Sequence, residues 1–156
     1  MTIINDIRAC LDSHLTGASG IPTIARQNVP FEPTTGTSFV KANMIPTSRR
    51  PAVRGLNPQQ RYDGLYNLLI CTPEGLGSGA GYDVADTLLA RFEATTDISY
   101  NGFIISLDYS EVRTSYLDSP FYCTPIIVAW YCYHLLIKET KNGFCTGFSF
   151  WSILCG

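Results

Sequence analysis

Residues 62–72 (Tyr-Asp-Gly-Leu-Tyr-Asn-Leu-Leu-Ile-Cys-Thr) restrict the fold more than any other part of the chain. In an extended backbone successive side chains alternate between two faces, so Tyr66, Leu68 and Ile70 share one and Leu65, Leu69 and Cys71 the other. Both faces are then largely apolar. Such a strand loses its driving force at a sheet edge, so the pattern predicts a central strand. A last long apolar run, residues 125–137, completes the sheet. Between them, residues 103, 105, 107 and 109 (Phe, Ile, Leu, Tyr) alternate with more polar positions after a Tyr100-Asn101-Gly102 turn, which predicts a strand with one better-buried face.

Two helices are legible. Thr2 precedes Ile4, Ile7, Leu11 and Leu15, spaced by three, four and four, the stripe of an amphipathic helix ending near Gly17 or Gly20. Val84, Leu88 and Phe92, with Ala85 and Leu89 beside them, repeat the pattern, and Asp83 and Asp86 fall in what reads as its first turn. Residues 20–51 are dense in Pro, Thr and Gly, with β-prone runs at 23–27 and 37–45. Residues 47–61 hold Arg49, Arg50, Arg54 and Arg61, four of the chain's eleven basic residues, among two prolines and without periodicity; they read as a long, basic, mobile loop. The expected fold is α+β: a small antiparallel or mixed sheet packed against two α-helices, with long extended loops.

At 156 residues the length suits one domain, taken as residues 1–137 with an apolar tail at 138–156. That tail, with Phe144, Phe148, Phe150, Trp151, Ile153 and Leu154, is too apolar to stay in solvent and is expected to dock. No run of about 18 apolar residues offers a membrane span. A charge of −2 and a pI near 5.6 argue against non-specific nucleic-acid binding as the main task, because counterion release needs a dense set of Lys and Arg. The acidic Met1–Asp6 start lacks the cationic region of a signal peptide, which points to the cytoplasm as the site of synthesis and assembly. Cys10, Cys71, Cys123, Cys132, Cys145 and Cys155 form no C-x-x-C pair and read as reduced thiols that mostly fill the core.

Chemical constellations are sparse. Gly75-x-Gly77-x-x-Ala80 between a strand and a helix has the form of a dinucleotide fingerprint, yet Asp97 precedes a hairpin turn rather than ending a parallel strand. A flexible strand-to-helix connection accounts for it. His14 and His134 are the only histidines; Cys123 and His134 lie eleven residues apart, about 30 Å or more along an extended chain. No cluster has metal-ligand spacing, and no catalytic, cofactor-binding or metal-binding residue is assigned. The arginine-rich segment lacks interleaved aromatics for base stacking, which favours an electrostatic contact with a protein.

The order of landmarks carries more. Residues 24–40 (Ile-Ala-Arg-Gln-Asn-Val-Pro-Phe-Glu-Pro-Thr-Thr-Gly-Thr-Ser-Phe-Val), then Arg61-Tyr62-Asp63-Gly64-Leu65-Tyr66, Thr72-Pro73-Glu74-Gly75-Leu76-Gly77, a helix with Ala85-Asp86 and Leu88, and a strand near Pro125 resemble the lambda-like tail terminator (tail completion) proteins of long-tailed bacteriophages. The resemblance spans roughly residues 3–134 and departs from the family pattern after Ile137. It implies a structural virion protein of the tail and neck, not an enzyme and without a cofactor. It further implies a homo-oligomeric hexameric ring that caps the head-proximal end of the tail tube, stops its polymerisation and presents the head-attachment surface. The implied partners are the tail tube protein and a head-closure or connector protein, with no membrane and no specific nucleic acid. Within that picture Arg49, Arg50, Arg54 and Arg61 are expected to meet a partner, and Phe148 and Trp151 to belong to a second contact patch. Another neck protein, such as a head-closure or head–tail joining component, fits the same size and chemistry; a small nucleotide-binding enzyme using residues 75–81 is the alternative from another class.

Overall fold

A computed structural model describes residues 2–55 and 58–135. Two helices, α1 (Ile3–Thr16) and α2 (Gly79–Arg91), accompany seven strands: β1 (Thr23–Arg26), β2 (Phe39–Pro51), β3 (Gln59–Pro73), β4 (Asp97–Tyr100), β5 (Phe103–Val112), β6 (Tyr116–Asp118) and β7 (Phe121–Leu135). The strands form one sheet in the order β1-β2-β3-β7-β5-β4, and β6 pairs with β7. Among the described residues only the β1–β2 pairing is parallel, so the sheet is mixed and the class is α+β.

The doubly apolar segment takes the central place. β3 pairs with β2 on one side and, along its whole length from Gln59↔Leu135 to Pro73↔Phe121, with β7 on the other. Tyr66, Leu68 and Ile70 are buried beneath the helices with Val40, Ala42, Met44, Ile126, Val128 and Trp130. From α1 come Ile7, Cys10, Leu11 and Leu15, and from α2 and its end Ala85, Leu88 and Phe92. Ile4, expected on the buried stripe, is 48% exposed, whereas Ile3 packs against the core. At about 100° per residue, Ile3 stands in line with Ile7 and Leu11 at steps of four.

Several boundaries differ from the sequence reading. The segment 47–61 is not a long loop: β2 continues through Pro51, β3 begins at Gln59, and Arg49↔Tyr62, Arg50↔Arg61 and Pro51↔Gln60 are ladder partners. Pairing with a neighbour that is itself held by β7 overrides weak local propensity. α2 starts at Gly79, which puts Asp83 and Asp86 beyond its first turn and makes Gly79 and Gly81 helical despite the glycine-rich sequence. Gly81 is buried, and a Cβ there would lie 3.2 Å from the Thr124 hydroxyl, so the glycine lets the helix start close to the sheet. Tyr109, expected on the buried face of β5, is 44% exposed. A bulge between Leu107 and Tyr109 reverses the alternation. The β4–β5 turn follows expectation: Asn101 and Gly102 both adopt positive φ, 54° and 80°, as a tight hairpin requires.

The cysteines also depart from the reading as reduced thiols. Cys71 and Cys123 are directly opposed on β3 and β7 with Cα atoms 4.2 Å apart and are joined as a disulfide. Their separation of 52 residues hid the pairing, which depends on the register of two distant strands. Cys10 and Cys132 are free and buried, as core filler should be. Burial pushes the Cys10 thiol up to about 11 and the Cys132 thiol up to about 12, so neither is a ready nucleophile near neutral pH. Cys145, Cys155 and the apolar segment 138–156 lie outside the described residues.

Candidate partner-binding surface

The far end of the β2–β3 hairpin gathers the arginines that the sequence singled out. Because side chains alternate along a strand, the ladder pairs divide them between faces. On one face Arg61 Nε donates to Asp63 Oδ1 at 2.7 Å, Arg50 Nε lies 3.5 Å from Asp63 Oδ2, and Ser48 Oγ donates to the same carboxylate at 3.2 Å. Arg61 also stands over the Tyr131 ring at 4.5 Å from its centroid, with Tyr133 at 5.8 Å, and its Nη1 donates to Tyr133 Oη at 3.3 Å. The hydrogen bond to Asp63 is the largest reason why its pKa rises above the usual arginine range. On the opposite face Arg49 covers the Tyr62 ring at 5.6 Å. Arg54 is exposed in the connecting loop.

Arg61 is therefore a fixed part of the hairpin, tied by one carboxylate and two rings. Arg49, Arg50 and Arg54 are exposed and present the outward charge. The aromatics absent from the arginine-rich segment itself come from β7, where Tyr131↔Asp63 and Tyr133↔Arg61 are ladder partners. A signal existed in the alternation of Tyr131 and Tyr133, but locating it required the β3–β7 register. Phe148 and Trp151, the other expected contact residues, lie outside the described residues.

Beside the hairpin runs a groove of about 560 Å³ between the start of α1 and the end of β2, with Ile3, Ile4, Pro46, Arg49 and Tyr62 among its lining residues. Ile4, left outside the core, forms part of this wall. The groove thus sets apolar side chains beside the Arg49 guanidinium.

The remaining candidates are held apart or occupied. β3 is flanked by β2 and β7, and the strand after α2 forms an antiparallel hairpin with β5, so the parallel neighbour of a dinucleotide site is not formed around residues 75–81. Cys123 is bonded to Cys71, while His134, farther along the same strand, stacks on Phe103 at 5.8 Å. His14 and Arg91 exchange contacts at the helix ends: His14 Nε2 donates to the Arg91 carbonyl at 2.8 Å and Arg91 Nε donates to the His14 carbonyl at 3.0 Å. Among the described residues no group of three or more His, Cys, Asp or Glu side chains is placed to hold a metal, and no helix is long and apolar enough to cross a membrane.

The geometry defines a mixed-sheet α+β domain with a charged hairpin and an adjoining groove, a surface suited to contact between proteins. A family model described as phage tail terminator protein matches residues 6–130, and the chain belongs to that family of structural proteins of the phage tail. The matched range runs from α1 to Trp130 on β7 and includes the whole hairpin. One solved structure shares the fold at a TM-score of 0.63 and 20% sequence identity, covering 86% of this chain and 97% of its own. No curated protein sequence matches the chain.

Proposed function

We propose that this protein terminates the tail: six copies form a ring on the head-proximal end of the tail tube, stop its polymerisation and present the surface to which the head attaches. The family match over residues 6–130 is the observation that carries this reading. The architecture suits it. The end of the β2–β3 hairpin offers the neighbouring tube or connector a preformed surface, and Arg49, Arg50 and Arg54 give that surface a charge an acidic partner would meet. Arg61, locked against Asp63 and Tyr131, holds it in shape.

The test is native mass of the purified protein alone and after mixing with tail tubes, followed by electron microscopy of the mixture. A mass near six protomers, or density on one tube end, supports the reading. A monomer that leaves tubes uncapped and still elongating overturns it.

A further inference from the structure

Charge is segregated across the sheet. The two outermost strands on one side, β1 and β2, carry Arg26, Lys41, Arg49 and Arg50 and no acid. The two outermost strands on the other side, β4 and β5, carry Asp97, Asp108 and Glu111 and no base. Arg26 and Lys41 are exposed, as are Asp97, Asp108 and, just before β4, Glu93. Glu111 is held by Arg113, so Asp97 and Asp108 are the principal outward anions of that edge. The sheet order places these two sets at opposite ends. The β1–β2 side of the sheet is thus the basic one, with Arg26, whose Nη2 donates to Thr16 Oγ1 at 2.9 Å, and Lys41 on its two faces, and the β4–β5 side is the acidic one.

A molecule with unlike patches on opposite edges is complementary to a translated or rotated copy of itself, and such head-to-tail contacts close into a ring when the rotation per copy divides a full turn. We infer that the occupant of each edge is a second copy of this chain: the Arg26/Lys41 edge of one protomer meets the Asp97/Asp108 edge of the next. The contact runs through side chains rather than through extension of the sheet, because the outermost strand β1 is only four residues long and, beyond it, Pro46 and Pro51 withhold donors along β2. The arginines at the hairpin end are left to the tube or connector. This inference rests on the ring reading above and specifies which surfaces form it.

Two full-length double variants test it without altering Arg49, Arg50 or Arg54. R26E/K41E makes both contact patches acidic, and D97K/D108K makes both contact patches basic. Each alone should fail to form the ring and sediment as a monomer, while an equimolar mixture should assemble, since acidic-edged and basic-edged copies can alternate around an even-numbered ring. Restoration on mixing also shows that neither variant was simply misfolded. Raising the salt should dissociate the mixed ring as well as the unaltered one. Rings formed by either variant alone, or a mixture that stays monomeric while the unaltered protein forms rings, would overturn the edge assignment and leave the ring reading standing. If the unaltered protein forms no ring in solution or on tubes, both fall.

Discussion

Gly64 on β3 sits directly opposite Trp130 on β7, and the absence of a side chain at Gly64 is what admits the indole. A Cβ at this position would clash with Trp130 Cζ2 and lie 2.7 Å from the carbonyl oxygen of Ile45 on the other side. Trp130 is 2% exposed and packs among core residues including Leu107, its ladder partner on β5. The glycine thus lets the largest side chain of the core approach the backbone of the central strand closely. Glycine weakens strands elsewhere; here close approach requires it.

Gly64→Ala should therefore destabilise by overpacking, by about 1–3 kcal/mol. For a domain of this size that corresponds to a drop of roughly 2–4 °C in Tm per kcal/mol, measurable by thermal unfolding. An unchanged Tm would show that the indole has room to move aside.

A second relationship ties α1 to the sheet. Tyr66, at the middle of β3 and 1% exposed, donates its hydroxyl to Asp12 Oδ1 at 2.8 Å, and Arg8 Nη1 donates to Oδ2 of the same carboxylate at 2.8 Å. Burial, with the Asp12 charge beside it, raises the Tyr66 phenol far above its usual range, so it remains a donor at any working pH. Tyr66→Phe removes the donor and leaves a buried carboxylate oxygen unpaired, a cost of about 1–3 kcal/mol. Urea unfolding measures it. Equal stability of the two proteins would show that water or Arg8 takes over the oxygen.

The contact between His14 and Arg91 predicts a pH dependence. Burial lowers the His14 pKa; the hydrogen bond to the Arg91 carbonyl partly opposes this, and the Arg91 guanidinium adds to the lowering. As pH falls, the unfolded chain takes up this proton first, near its ordinary value of about 6.5. The stability associated with neutral His14 is accordingly complete above about pH 6.5 and is lost as pH falls from there through the lowered folded value. Unfolding midpoints at pH 8 and pH 5.5 should differ for the unaltered protein and differ less for His14→Asn. Carboxylates titrate mainly below about pH 5 and contribute to both proteins alike. An equal pH response in the two would assign the effect to other groups.

The extent to which these features were legible follows from the range over which each is determined. α1, α2 and the central strand depend on side-chain periodicity within a few turns or residues, and the patterns at Leu11, Leu88 and Leu68 disclose them. The Asn101-Gly102 turn is likewise local. By contrast, the strand character of Arg49 and Arg50 comes from pairing with β3, the exposure of Tyr109 from a bulge, and the Cys71–Cys123 bond from a register fixed over the whole length of β3 and β7. The arginines of the candidate surface were visible as residues, whereas the rings that support Arg61 lie on a strand some seventy positions later. Long-range pairing, not composition, decides these points.

That division among the arginines yields the last prediction. Arg49, Arg50 and Arg54 are exposed, and the Arg50–Asp63 pair at 3.5 Å lies at the surface, where such pairs contribute about 0–1 kcal/mol. Replacing all three by alanine should leave the unfolding midpoint nearly unchanged while reducing the yield of joined heads and tails in an in vitro assembly assay. Arg61→Ala acts differently, because it removes the guanidinium between Asp63, Tyr131 and Tyr133 and with it the side-chain tie across the β3–β7 ladder. It should lower stability by about 1 kcal/mol through the lost ion pair and cation–π contact. Arg61→Lys keeps the charge but not the planar group that stacks on Tyr131, so it should recover less than half of that loss. Undiminished joining by the triple variant, alongside an intact fold, would remove the outward arginines from the docking surface and leave the groove beside Ile4 and Tyr62 as the remaining candidate.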